Sequence, residues 1–163
     1  MLFIVVLVGS IIIASFFGHA VHWALHQPST RFAHRAHMQH HMVHYPMGRL
    51  VSDEYIKSKW RESGPLLFTP PLLIILCGFG GLLWVLRAPH WTVWVLGIVL
   101  VGFGLLNDYI HDVLHIRRHP LLRFRWYREM RKLHFLHHFD MRCNFGIFNF
   151  TWDSVFGTKL TKR

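Results

Sequence analysis

Three long stretches of this chain carry no charged side chain, and nothing else in the sequence limits the fold as much. Residues 1–30 hold no Asp, Glu, Lys or Arg, and two further charge-free runs cover Pro65 to Leu86 and Ala88 to Asn107. A helix needs ~20 apolar residues to cross ~30 Å of hydrocarbon. Inside lipid, backbone polar groups are satisfied only within helices or closed barrels. The runs therefore predict an all-α integral membrane protein with about three transmembrane helices. The first is almost wholly apolar from Leu2 to Phe17 and extends to about His26. The absence of a basic leading segment argues against a signal peptide. Pro70 and Pro71 kink or delay the start of the second helix. Only Arg87 and Pro89 interrupt the second and third runs, so these form a tight hairpin. Composition agrees: 52% of residues are hydrophobic and 16% charged, too apolar a mix for an ordinary soluble domain.

Charge then fixes orientation. Of 18 Lys and Arg, all but Arg87 lie in residues 31–61 or 117–163. The positive-inside rule puts residues 27–64 and the C-terminal third in the cytoplasm and the N-terminus outside. The net charge of +10 follows this membrane topology, so no nucleic-acid partner is expected. Leu121, Leu122, Phe124, Trp126, Tyr127, Met130, Leu133 and Leu136 alternate with Arg123, Arg125, Arg128, Arg131 and Lys132. That pattern predicts a basic amphipathic helix along the interface, starting after Pro120. It suits anionic lipid and also an acidic redox partner. Cys77 and Cys143 form no disulfide framework and fit a reducing compartment. The length of 163 residues reads as one domain, 1–163, with no linker dividing it.

Four histidine clusters sit at the ends of these segments: His22 and His26; His37, His40 and His41; His111 and His115; His134, His137 and His138. On a helix, positions i, i+3 and i+4 share one face, so each cluster aims its imidazoles at one region. Ionisable groups near a bilayer are costly and default to a functional role. Metal coordination keeps imidazoles neutral and satisfies them. Ten imidazoles exceed what one ion takes, about four to six ligands, but suit two. No cysteine joins the clusters and no structural-zinc spacing is present. The pattern favours a dinuclear, nitrogen-rich, redox-capable centre. HxxxH followed by HxxHH occurs twice, so each membrane-helix end and its following cytoplasmic helix supplies about half of the site. His19, His34, His44, His90 and His119 lie outside the clusters and read as surface or supporting residues, with His34 and His44 as reserves. Asp108, Asp112, Asp140 and Asn144 are close enough in sequence to hold ligand ring N–H groups; capping and ion pairing are their ordinary roles. Cys77 to Gly81 is not a nucleotide fingerprint, because it lies inside an apolar run.

The boxes HWALH (22–26), HMQHH (37–41), HDVLH (111–115) and HFLHH (134–138), in this order, resemble the fatty acid hydroxylase/sterol desaturase superfamily. The tail NFGIFNFTWDSVFGT (144–158) is similar to the stretch after that family's last box, and HMVHYPMGRLVSDEY (41–55) to its bacterial members. The resemblance runs from about residue 19 to 158. It implies a membrane-embedded lipid hydroxylase or desaturase with O2 as co-substrate and two iron ions held by the ten boxed histidines, zinc being the substitute in purified protein. Carotenoid hydroxylases belong to the same wider group, but their third box is spaced differently and they lack Trp152-Asp153. The expected substrate is a fatty acyl chain or sterol from the bilayer. Electrons come from an external ferredoxin or cytochrome b5-like donor with its reductase, since no flavin, haem or iron–sulfur motif is present. A membrane metal transporter or metal-binding protein without enzymatic activity is the alternative. A transporter would place its ligands nearer mid-membrane.

Overall fold

The computed structural model describes residues 1–54 and 68–162. Residues 65–67 of the second apolar run, Tyr55, and the basic residues Lys57, Lys59 and Arg61 lie outside the described residues. Among the described residues six α-helices follow in chain order: α1 (Leu2–Leu25), α2 (Phe32–Gln39), α3 (Thr69–Val85), α4 (His90–Val113), α5 (Arg125–Phe139) and α6 (Thr151–Val155). A π-helical turn, His40–His44, prolongs α2, and short 3-10 turns cover Pro28–Thr30 and Pro120–Arg123. Among the described residues there is no strand. An isolated parallel bridge joins Ser52 to Ile116.

Two of the three expected spans, α1 and α4, are long and apolar enough to cross a membrane. The third, α3, is a shorter apolar helix of 17 residues among those described, about 25 Å at ~1.5 Å per residue. Pro70 and Pro71 occupy its first turn, where a missing N–H costs least, so the prolines set where the helix starts rather than kink it. The expected hairpin is present: only residues 86–89 separate α3 from α4.

The three apolar helices pack side by side. Phe3 and Trp91 meet at 6.0 Å between rings, and Gly18 lies against Phe103 and Asn107, so α1 and α4 run parallel. Helix α3 runs antiparallel to α4, from Thr69 beside Gly104 to Gly80 beside Val93. A Cβ on Gly104 would come within 3.0 Å of the Thr69 Cα, so glycine permits that approach. Asp108 then caps α3 from the neighbouring helix, accepting from the Phe68 and Thr69 N–H groups at 2.8 and 3.1 Å and the Thr69 hydroxyl at 2.6 Å. These donors would otherwise be unsatisfied at the helix start.

Ala14, Leu72, Leu96 and Leu100 form a core between these helices. Their outer faces stay apolar: Ile74 is 74% exposed and Ile98 71%. Such a belt is unfavourable in water and suits lipid. A second core, including Val21, Leu25, Phe68, Ile110, Tyr127 and Met130, closes the end where α1 and α4 finish. Helix α5 docks there, with the Tyr127 hydroxyl donating to the Val113 carbonyl at 2.6 Å. The amphipathic segment thus turns Tyr127, Met130 and its histidines into the protein, while Trp126 and the arginines Arg125 and Arg128 stay exposed. Its α-helix begins at Arg125 instead of directly after Pro120, because Phe124 is extended.

Candidate metal centre

All four histidine clusters meet at one end of the bundle. His22 ends α1, His111 ends α4, His26 and His115 come just after those helices, His37 lies on α2, and His134, His137 and His138 lie on α5. His40 and His41 open the π-helical turn, whose wider register is marked by the Tyr45 N–H bonded to the His40 carbonyl at 2.9 Å. Nine of the ten boxed rings resolve into two groups. His22, His26, His37, His41 and His137 make the first, and His40, His115, His134 and His138 the second. In each group one ring nitrogen per residue lies within 4.8 Å of all the others.

The groups do not divide as the sequence repeat does. Each HxxHH box is split: i and i+4 enter one group and i+3 enters the other. Helix geometry explains this, since i+4 lies about 40° to one side of i and i+3 about 60° to the other. His40 therefore joins the group of the second half of the chain and His137 that of the first. The tenth ring, His111, lies against the second group and 6.0 Å from the His22 and His37 rings of the first. Its centroid is 4.3 Å from that of His40 and 5.0 Å from that of His134, and its Nε2 is buried without a hydrogen-bond partner.

Nε2 atoms face one another at hydrogen-bond distance: 3.1 Å for His22–His37, 3.0 Å for His26–His37, 3.1 Å for His40–His115 and 2.9 Å for His115–His134. Backbone carbonyls take up several of the opposite nitrogens. Nδ1 of His22 donates to Phe145 O at 2.7 Å, of His115 to Leu50 O at 2.8 Å, of His137 to Cys143 O at 2.6 Å and of His138 to Tyr45 O at 3.1 Å. That fixes the tautomer with a bare Nε2 lone pair pointing inward. Converging lone pairs repel unless a cation sits among them, so the donor set fits metal ions. Burial holds the rings of His37, His40, His41, His115, His134 and His138 well below the ordinary histidine range, with neighbouring imidazoles adding to the effect for each. His137 is pushed down to about 4, chiefly by burial and despite its bond to Cys143. Neutral imidazole is the ligating form. His26 is the least buried ring of the first group, and it lines a pocket together with Trp23, Gln27, His34, Met38 and Arg142.

The four polar side chains expected to hold ligand N–H groups have varied surroundings. Asp112 is 3.9 Å from Nδ1 of His111, Asp108 caps α3, and Asp140 pairs with the exposed Arg142 at 2.9 Å. The Asn144 amide donates to Leu133 O and Leu160 O. His34 donates to the Leu25 carbonyl at 3.0 Å, and His44, the last residue of the π-helical turn, is buried; neither is in a group. Sequence reasoning missed the backbone carbonyls, which carry no side-chain signature, and the fully buried Asp153. The Trp152-Asp153 pair stood out in the tail but suggested no role.

Among known proteins, the ceramide very long chain fatty acid hydroxylase of Saccharomyces cerevisiae is 28% identical over 137 residues, 82% of this chain. The chain spans 31% of that protein's length. No solved structure matches. The fatty acid hydroxylase family model matches residues 7–158, a range that contains the four boxes and the tail. On that match, over nearly its whole length, the chain belongs to the fatty acid hydroxylase family.

Proposed function

We propose that this chain is a membrane-embedded oxygenase that hydroxylates or desaturates a lipid with O2 and two iron ions. The observation that carries the reading is the pair of interlocked imidazole groups, buried except at His26, at one end of an apolar helix bundle. Unactivated C–H bonds resist every amino-acid side chain, and bound iron supplies the O2-dependent oxidation they need. His22, His26, His37, His41 and His137 would hold one ion. His40, His115, His134 and His138 would hold the other, with His111 as the fifth donor. The box repeat favours that place for His111: it matches His22 in the first half, as His115 matches His26. Zinc would occupy the same rings in overexpressed protein, since imidazole does not discriminate strongly.

The chain's own part is to place and shield. The tautomers set by Phe145, Leu50, Cys143 and Tyr45 aim the lone pairs without rearrangement. The apolar cores exclude water, and the belt on α1, α3 and α4 lets an acyl chain or sterol arrive sideways from the bilayer. Two electrons per turnover come from an external ferredoxin or cytochrome b5-like protein with its reductase, drawn to the basic cytoplasmic face. Lipid mass spectrometry of cells with and without the chain tests the activity. A species heavier by one oxygen or lighter by two hydrogens is expected in the expressing cells alone; an unchanged lipidome would overturn the reading.

The basic segments argue for clusters on the cytoplasmic side and the N-terminus outside. Reporter fusions at residue 162 and within the 86–89 link should then report opposite sides. Matching sides would refute the orientation.

A further inference from the structure

We propose that Asp153 is a positioning residue for one half of the centre, its buried carboxylate fixing the backbone carbonyls that orient His22 and His137. The inference rests on the dimetal reading above. Asp153 is fully buried at the start of the tail helix α6. Its Oδ1 accepts the Phe145 N–H at 2.7 Å and the Thr158 hydroxyl at 2.8 Å, and its Oδ2 accepts the Gly146 N–H at 2.8 Å. Nδ1 of His19, on α1, lies 3.5 Å from Oδ2. The carboxylate therefore grips the peptide whose carbonyl, that of Phe145, receives the His22 N–H. Two residues earlier the Cys143 carbonyl receives the His137 N–H.

The segment between is locked as well. Asn144 sits at a φ of 54°, a left-handed conformation that its side chain holds through Leu133 and Leu160, with Oδ1 accepting the Leu160 N–H at 2.9 Å. At Gly146 a Cβ would overlap the Asn149 carbonyl oxygen, so the turn closes only around glycine. An ionised carboxylate is expensive to bury unless several donors meet it. Burial pushes Asp153 up, but the neighbouring His19 ring and the bonds from Thr158 and Gly146 outweigh it and hold the group below its ordinary range. A carboxylate so well satisfied makes a rigid anchor.

The other half of the centre uses a different loop. His138 and His115 donate to Tyr45 and Leu50, after the second box, and the Tyr45 ring stacks on His115 at 3.9 Å. Each HxxHH box is thus succeeded by a loop whose carbonyls orient two rings of one group. Asp153 serves the loop of the first group and, among the described residues, has no such link to the second.

The test is a metal titration of the purified full-length chain, stripped and reloaded with Co(II), with helix content followed in parallel. Wild type should take up two ions. Asp153→Asn should keep one of them at wild-type affinity and bind the other about 10–100-fold more weakly, the usual cost of losing a group that orients a ligand. Its residual Co(II) absorption should match that of His26→Ala and differ from that of His115→Ala. Adding Asp153→Asn to His22→Ala should weaken the first site by less than the two changes do separately. Equal weakening of both ions, or no weakening of either, would overturn the proposal. If Asp153→Asn does not fold, Thr158→Val removes one bond to the same carboxylate, and a smaller loss confined to the same ion is expected; a loss shared by both ions, or none, counts against it. A wild-type chain that binds fewer than two ions removes the dimetal reading, and the proposal with it.

Discussion

Alanine at His137 or at His40 should abolish product formation, by on the order of 100-fold or more, and each should lose mainly one of two bound ions. The two histidines sit in opposite groups, so the variants are expected to lose different ions. Each leaves a gap among converging nitrogens that water fills poorly, and chemistry that needs both ions fails when either is gone. Two controls bracket the effect. His90 opens α4, exposed at the far end, about 32 Å of helix from His111 at ~1.5 Å per residue; His90→Ala should leave metal and activity unchanged. The His119 side chain accepts the Leu121 N–H at the 3-10 turn, so His119→Ala should cost about 0.5–2 kcal/mol of stability, as for a lost cap, with metal retained. Bound metal and product are measured on all four variants. A His90→Ala that is inactive, beside an active His40→Ala or His137→Ala, would contradict a single centre at one end of the bundle.

Mild acid should empty and loosen the site. The free imidazole value is about 6.5, and the folded values lie below it, that of His137 at about 4 and those of His37, His40, His41, His115, His134 and His138 well down. As the pH falls below about 6.5 the unfolded chain takes up protons that the folded chain refuses, so stability drains. The contribution of the neutral rings is complete above about 6.5. For His137 that loss continues until its folded value of about 4 is reached, and the other rings, lowered in the same direction, add to it. Protons also compete with metal for the same lone pairs. Metal retention and helix content in detergent should therefore fall steeply between pH 6.5 and about 5. Flat retention to pH 4 would show that the rings are not the ligands.

The sequence by itself determined the elements and the faces on which the boxed imidazoles fall. Charge-free runs of membrane length are local facts, and so is i, i+3, i+4 spacing on a helix; both survive whatever the helices pack against. Hence the end of α1 near His26 and the hairpin at 86–89 were legible, while α4 runs to Val113, six residues past the charge-free run that ended at Asn107. Residues 55–67, outside the described residues, include the start of the second run, and the described part of α3 came out shorter than a full span. Tertiary structure alone decided how the histidines partner. The repeat suggested two sequential halves, but facing helices sort each HxxHH box by which side of the stripe a ring occupies, so His40 and His137 exchange. It also chose backbone carbonyls to hold the rings, joining His22 to Phe145 across 123 positions and His138 to Tyr45 across 93. It turned Asp108 to the cap of α3 and made Asp153 the anchor of a loop. A carbonyl is the same at every residue, so its role is set only by where the packed chain brings it.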